Sequence, residues 1–398
     1  MSREYGLTGR YSLLQGSYYG ANCAVIGYAS VFLLDKGITP SGVGALIAVS
    51  NVLAVICQPL VAGFADRSRT VSLKQIIGII GIAGVCLSLL LGISENKLSV
   101  AVWMLLCLIT SLLMPLVNAV SVYFTNQDRF INFGVARGLG SLTYAAASYG
   151  LGYLTGKMGA LGIPLAALAA YALILTGISL FRIRPACESA AAGECVAAGE
   201  PTVTREPTAV RQPGFLFRYP RFFVKMAAVV ALFAFHNITS TYLIRMMERF
   251  GGGSEDMGTA LAIAAICELP TMLLYSRISR RYRAEGLLAV SAVCFFIKSV
   301  LLLTASSISV IYLSQMFQAF SFALFIPASV QYTNEVMAGA DKIRGQALVT
   351  CAITLGSVVG NLTGGLALDW AGIPAMLLLS CGFALTGAVI MLCTTLKK

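Results

Sequence analysis

The sequence predicts an all-α membrane protein of twelve transmembrane helices, arranged as two pseudo-symmetric six-helix bundles with both termini cytoplasmic. Three observations predict it. Apolar residues make up 58% of the 398-residue chain and charged residues 11%, against about 25% charged in soluble domains. The apolar residues gather in runs of about 20, the length that crosses a bilayer core as a helix. Finally, the second half of the chain repeats short motifs of the first.

The runs read as spans at 11–33, 42–64, 75–94, 98–124, 138–158, 161–181, 222–246, 259–275, 287–305, 310–332, 346–367 and 374–395. The first span carries G-S-Y-Y-G-A-N-C, where Tyr18 and Asn22 are four apart and share a face. The second holds G-V-G-A, and its Gln58 precedes Pro59. In the fourth, Asn118 follows Pro115 by one turn. Arg137 stands at the cytoplasmic mouth of the fifth. The seventh contains F-A-F-H-N-I-T-S-T-Y, with the sole histidine, His236, beside Asn237 and Ser240. The eighth contains I-C-E-L-P around Glu268, the ninth F-F-I-K-S-V around Lys298, and the tenth Q-M-F-Q-A-F-S with Gln318 and Ser321. The eleventh holds G-N-L-T-G-G. Such small-residue stretches let membrane helices approach closely.

Charge distribution orients the helices. With the N-terminus inside, twenty-two of the twenty-eight Lys and Arg residues fall on the cytoplasmic side and five on the outer side, namely Lys36, Lys97, Lys157, Arg245 and Arg249. Lys298 is within a span. That bias is the positive-inside signature. The net charge of +11 is therefore a topology signal spread over short loops, and no nucleic-acid partner is expected. The N-terminal M-S-R-E-Y-G-L-T-G-R has no small-residue cleavage site, so no signal peptide is expected. Nine of the eleven cysteines lie in apolar runs as small packing residues. Cys187 and Cys195 lie outside them with no histidine nearby, so neither a disulfide framework nor a metal site is expected.

Residues 185–214 form the one long polar segment, rich in Ala, Gly, Pro and Glu, and read as a cytoplasmic linker. It divides an N-terminal bundle, 1–184, from a C-terminal bundle, 215–398. The halves share ordered motifs. F-T-N-Q at 124–127, R-G-L-G at 137–140 and L-G-I-P at 161–164 answer Y-T-N-E at 332–335, R-G-Q-A at 344–347 and A-G-I-P at 371–374. The basic turn G-F-A-D-R-S-R, 63–69, likewise answers Y-S-R-I-S-R-R-Y-R, 275–283. A duplicated six-helix unit is the layout of many secondary transporters, whose site lies near the midplane between the halves.

On these motifs the chain resembles the major facilitator superfamily. G-F-A-D-R-S-R is similar to that superfamily's loop between helices 2 and 3, with Asp66 and Arg67 in place and a thin second basic cluster. I-N-F-G-V-A-R-G-L-G-S-L-T-Y-A, 131–145, resembles the segment entering helix 5 of the oligosaccharide–proton symporters, the lactose and sucrose permease group, to which nucleoside and aromatic-acid permeases are related. Arg137 matches that segment's arginine. The resemblance implies that Glu268 meets sugar hydroxyls and places Lys298 where those symporters have an arginine. It also puts Gln318 and Ser321 at the positions of the coupling histidine and glutamate, Asn237 and Ser240 at those of two aspartates, and Asn118 near that of a sugar-binding carboxylate. Most of the ionisable positions are thus neutral here, which departs from lactose-type specificity and coupling.

Read by themselves, these residues point the same way. An intramembrane carboxylate costs about 2.5–3.5 kcal/mol on insertion scales, so it has a partner, a cavity or a role. Glu268 and Lys298 sit on sequence-adjacent helices and are expected to meet, either as a structural ion pair or with Glu268 accepting solute hydroxyls. Tyr18, Asn22, Gln58, Asn118, His236, Asn237 and Gln318 are expected to complete a hydrogen-bonding cavity for a neutral polyhydroxy or heterocyclic solute. Individually, each is also satisfied by interhelical hydrogen bonding worth about 0.6 kcal/mol. Glu268 and His236 are the candidates for proton handling, while Asp66, Arg67, Arg137 and Arg344 are expected to hold loops and gate the halves. The expected activity is alternating-access transport of a sugar, glycoside or nucleoside across the cell membrane by a monomer embedded in the bilayer. Proton symport, an uncoupled facilitator or exporter, and an organic-anion carrier using Lys298 remain alternatives. No cofactor and no catalytic residue is expected. H-E-x-x-H and G-x-S-x-G are both missing from the sequence, and His236 has no nucleophile partner.

Overall fold

The computed structural model describes residues 2–68, 70–127, 129, 131–183, 218–339 and 341–396. The linker read at 185–214 and the bundle boundaries beside it lie outside the described residues. All regular structure among the described residues is helical. In the first half α1 (Ser2–Asn22) widens into a π-helical turn, Cys23–Gly27, and resumes as α2 (Ala29–Asp35). Then come α3 (Pro40–Arg67), α4 (Leu73–Ile93), α5 (Asn96–Thr125), α6 (Phe133–Met158) and, after a 3-10 turn at Gly159–Leu161, α7 (Gly162–Ser179). The second half has α8 (Pro220–Thr241), α9 (Leu243–Glu248), α10 (Ser254–Arg281), α11 (Ala284–Leu303) and α12 (Ile308–Met316). A 3-10 turn at Phe317–Ala319 leads to α13 (Phe322–Val336), followed by α14 (Asp341–Leu396).

Among the described residues nine stretches are long and apolar enough to cross a membrane, fewer than the twelve runs in the sequence. Three local features account for the difference. The run at 11–33 is divided by the π-helical turn. Phe133–Ser179 forms one continuous stretch, although Gly159 breaks it at φ +62°. Asp341–Leu396 is likewise continuous but turns at Gly372, φ +74°. Only glycine takes such angles without strain, and both bends lie beside the repeated G-I-P motif. The tenth run is also broken, because its backbone leaves the helix at Phe320–Ser321. Ser291 Oγ donates to the Ser321 carbonyl at 2.7 Å and satisfies it inside the core.

Sequence chemistry sets the helix starts. Thr39 Oγ1 accepts from Gly42 N at 3.2 Å ahead of Pro40 in the first turn. Ser72 and Gln75 make a reciprocal capping box. Large apolar side chains such as Ile79, Ile82, Leu89 and Ile93 on α4 face outward, as lipid contact requires.

Within the first half α1 packs on α6 and α7, and α4 packs on α5 and α7. Within the second, α14 packs on α8 and α11. The halves meet where α3 lies against α14 and α6 against α10. The α6–α10 seam is glycine on glycine. A methyl group on Gly258 would strike the Ser148 carbonyl, the Tyr28 hydroxyl and Gly152 Cα. Three hydrogen bonds cross the α3–α14 side of the seam. Ser41 N donates to Asp369 Oδ2 at 2.8 Å, Tyr242 Oη to the Pro40 carbonyl at 3.0 Å, and Asn51 Nδ2 to Ser357 Oγ at 2.8 Å. At the opposite helix ends Leu60, Phe64 and Ile343 stand exposed. The halves therefore close at the end that carries the 36–40 and 249–253 turns.

Candidate functional site

A cavity of about 440 Å³ lies between the halves. Tyr18, Tyr19 and Asn22 from α1, Asn51 from α3, Trp103 from α5 and Arg137, Ser141 and Tyr144 from α6 line one wall. His236, Asn237, Ser240 and Thr241 from α8, Glu268 from α10, Gln318, Phe322 and Ser357 line the other. The polar groups are held in register by the helices that carry them. Residues 236, 237, 240 and 241 form one face of the last turns of α8, and Glu268 lies two residues before Pro270 inside α10.

Glu268 and Lys298 do not meet as the adjacency of their spans suggests. Gln318 stands between them. Its Nε2 donates to Glu268 Oε1 at 3.2 Å, and its Oε1 accepts from Lys298 Nζ at 2.7 Å. Lys298 Nζ also donates to Gln315 Oε1 at 3.1 Å, and the residue is 3% exposed. The side chain is thus sealed behind Gln318, away from the cavity lining. The reason is geometric: the 3-10 turn at Phe317–Ala319 inserts the amide into the gap between α10 and α11.

Two other candidates also lie away from the cavity lining. Asn118 Oδ1 accepts from Gln15 Nε2 at 3.3 Å, and Gln58 Nε2 donates to the Ser111 carbonyl at 2.9 Å. Neither lines the cavity, because each is turned into the packing of its own half. Arg137 departs in the opposite sense. Its sequence position places it at the cytoplasmic mouth, yet it lines the cavity with its guanidinium over the Tyr19 ring, 4.7 Å from the centroid. The first turn of α6 begins at Phe133, before the predicted span, which carries Arg137 one turn deeper. Arg344 is on the surface and pairs with Asp341 at 3.6 Å. The side chains of Asp66 and Arg67 lie outside the described residues. Tyr18, Asn22, His236, Asn237, Glu268 and Gln318 are brought together on the one cavity.

The second half supplies a polar chain that ends at the seam. Asn237 Oδ1 accepts from Ser357 Oγ at 2.9 Å, Ser357 Oγ accepts from Asn51 Nδ2 and from Asn361 Nδ2, and Asn361 Oδ1 accepts from Thr241 Oγ1 at 2.6 Å. His236 stacks on Phe322 with centroids 5.0 Å apart, and Phe233 and Phe295 pack edge-on against it. Its Nδ1 is buried without a hydrogen-bond partner, so the cavity is reached through the other ring edge. Trp103 Nε1 donates to the Val25 carbonyl at 3.1 Å, which fixes the indole beside the π-helical turn. Asn51, Trp103, Tyr144, Phe322 and Ser357 were not legible as site residues. Aromatic and small polar residues are common in membrane helices, and only the tertiary packing selects these. Among the described residues no group of His, Cys, Asp and Glu is placed to hold a metal ion.

The cavity presents opposed walls, uncharged donors and acceptors, aromatic faces, and one carboxylate and one guanidinium on different halves. Comparison with known proteins agrees on the architecture. The chain is 22% identical over 400 residues to the uncharacterized transporter YwbF of Bacillus subtilis (strain 168), covering 94% of this chain and 92% of that one. It is 23% identical over 377 residues to the maltose permease of Geobacillus stearothermophilus, covering 91% and 88%. Among solved structures, the nucleoside transporter NupG superposes with a TM-score of 0.74 at 16% identity over the full length of both chains. The POT family transporter PepTSo superposes with a TM-score of 0.69 at 16% identity, covering 99% and 98%. Residues 10–377 match the model of the MFS_1-like family. The chain is a membrane transporter of the major facilitator superfamily and belongs to its MFS_1-like family.

Proposed function

We propose that this transporter moves a small polar solute, a sugar, glycoside or nucleoside, across the cell membrane by alternating access, with Glu268 coupling the movement to protons. In this reading twelve crossings form the bundles 1–184 and 215–398 around the cytoplasmic linker 185–214. Both termini are inside, and the protein works as a monomer. The observation that carries the reading is Glu268 itself, an intramembrane carboxylate lining a cavity between two halves and held by an uncharged amide. Such a residue is a functional site by default. Asn22, Asn51, Ser141, Asn237, Ser240 and Thr241 supply neutral hydrogen-bonding groups, and Trp103, His236 and Phe322 supply flat apolar faces. That combination suits a hydroxylated ring. The relatives named for maltose and nucleosides support the same solute class. With the termini inside, the closed seam is the outer one and the cavity serves the cytoplasmic side.

His236 is the second candidate for proton handling, but a proton on its Nδ1 would be buried with no acceptor, which favours Glu268. A second reading has one specific support. Arg137 is a cation in the cavity with no carboxylate at ion-pairing distance among the described residues, so a small organic anion would pair with Arg137. Lys298 is sealed behind Gln318 and does not serve that role.

Thermal stability of the purified protein against sugars, nucleosides and small carboxylates, at two pH values on either side of neutrality, tests both readings. A neutral solute that stabilises wild type and not Glu268→Gln supports the first. Stabilisation by carboxylates alone, lost in Arg137→Gln and kept in Glu268→Gln, replaces it with the second.

A further inference from the structure

Tyr28 and Tyr242 each interrupt the first helix of their half, with near-identical backbone angles of φ −104°, ψ 16° and φ −101°, ψ 22°. Both are 0% exposed, and both hydroxyls lie at the closed end of the seam. Tyr28 Oη donates to the Ser148 carbonyl of α6 at 2.7 Å, and Tyr242 Oη to the Asn361 carbonyl of α14 at 2.9 Å. Glycines of the opposite half fit around them. A methyl group on Gly258 of α10 would strike the Tyr28 hydroxyl and the Ser148 carbonyl, and one on Gly44 of α3 would strike the Tyr242 hydroxyl and the Asn361 carbonyl. A methyl group on Gly152 would meet the Ser254 carbonyl and the Tyr28 hydroxyl, and one on Gly365 the Pro40 carbonyl and the Tyr242 hydroxyl.

These contacts are one arrangement made twice. The tyrosines are 214 residues apart, as are Pro40 and Ser254, and Gly44 and Gly258. Ser148 and Asn361 are 213 apart, as are Gly152 and Gly365, and the bends at Gly159 and Gly372 keep the same spacing. One phenol, two carbonyls and two glycines thus recur in each copy of the repeated unit. The copies differ in one bond. Tyr242 Oη also reaches across the seam to the Pro40 carbonyl at 3.0 Å, whereas the hydrogen bond of Tyr28 stays within its own half.

We propose that Tyr28 and Tyr242 are paired latches that position the two halves at this end during transport, with Tyr242 the stronger of the two. The inference rests on the alternating-access reading. The Tyr242 hydroxyl has one proton for two carbonyls. When the halves part it keeps the Asn361 carbonyl, so opening gives up one shared hydrogen bond and strands no buried donor. Tyr28 likewise keeps the Ser148 carbonyl and loses only its packing against Gly258. Latches of that strength leave the open and closed states close in free energy, as a cycle that visits both requires. Small residues on both sides of each notch let the helices meet closely enough for the hydroxyls to reach.

Maleimide labelling of the full chain in lipid nanodiscs, read at single residues by mass spectrometry, tests the latches. Each hydroxyl is removed by phenylalanine and read at a cysteine beside the other latch, so that local loosening is not mistaken for opening. Tyr242→Phe is read at Ser254→Cys, and Tyr28→Phe at Ser41→Cys. Labelling is expected to rise about fivefold in Tyr242→Phe and about twofold in Tyr28→Phe, the middle and lower end of what one hydrogen bond is worth. Melting temperatures should stay near wild type. Measurable wild-type labelling that neither variant changes would overturn the latches and leave alternating access standing. No labelling of either cysteine in any protein would overturn both, because this end would then never open. A larger rise in Tyr28→Phe than in Tyr242→Phe would overturn the assignment of Tyr242 as the stronger latch. If Tyr242→Phe melts well below wild type, Gly44→Ala, which wedges the same notch from the other half, takes its place at Ser254→Cys with the same expectation.

Discussion

Gln318 joins Glu268 to Lys298 through the two ends of one amide, nitrogen to carboxylate at 3.2 Å and oxygen to ammonium at 2.7 Å. The orientation is dictated by charge, because the reverse would set oxygen against carboxylate and N–H against ammonium. Glu268 is thereby held toward the cavity without a direct ion pair that would lock it. Hydrogen bonds to charged groups contribute about 1.5–3 kcal/mol each. Gln318→Met, close in shape and unable to bond either group, is therefore expected to lower stability by about 3 kcal/mol and to weaken solute binding. A mutant with wild-type melting temperature and affinity would remove the bridge from the account.

The proton role proposed for Glu268 predicts a specific loss. Wild-type solute stabilisation should differ between the two sides of neutral pH, and in Glu268→Gln, which cannot exchange a proton, that difference should vanish. His236→Asn should keep it. Retention of the pH difference in Glu268→Gln would move proton handling elsewhere.

Arg137 stacks as a plane on Tyr19, and lysine cannot reproduce that contact or the guanidinium fork. Arg137→Lys is expected to weaken solute binding at least about tenfold, which is about 1.4 kcal/mol, with little change in melting temperature. Unchanged affinity by isothermal titration would return Arg137 to the gating role that its sequence position suggests.

The glycine seam predicts a conformational bias. Gly258→Val would drive a side chain into the Ser148 carbonyl and the Tyr28 hydroxyl and should hold the closed end of the seam apart. In a background carrying Ser41→Cys, maleimide labelling of that cysteine should rise several-fold with Gly258→Val, and net transport should fall. Unchanged labelling would mean that α6 and α10 do not close this end.

Lys225 offers a test of burial independent of transport. It is 0% exposed, donates to Glu285 Oε1 at 2.8 Å and to Thr395 Oγ1 at 3.0 Å, and lies 5.0 Å from the Tyr332 ring centroid. The Glu285 side chain is 32% exposed. Removing the acid strands a buried ammonium, whereas removing the base leaves a carboxylate that water reaches. Glu285→Gln should therefore cost about 3 kcal/mol and Lys225→Met about half of that, measured as melting temperatures in detergent. The opposite ranking would contradict the burial argument.

Transmembrane character, the positive-inside bias, the repeat and the position of Glu268 and His236 on a shared polar cavity were readable from residue order, whereas Arg137 read as a residue of the cytoplasmic mouth. Each depends on composition or spacing within one helix or loop, and the cost of polar groups in lipid makes those signals strong. Tertiary structure decided the rest, because it depends on which faces meet. Gln318 separates Glu268 from Lys298 only because the tenth run breaks into a 3-10 turn. Asn118 and Gln58 turn into their own half, while Asn51, Trp103 and Phe322 reach the cavity through packing that no local pattern encodes. The bends at Gly159 and Gly372 within two otherwise continuous stretches are likewise a matter of backbone angles, which hydropathy does not register. Hydropathy is a property of single segments, and a site between two bundles is a property of pairs of them.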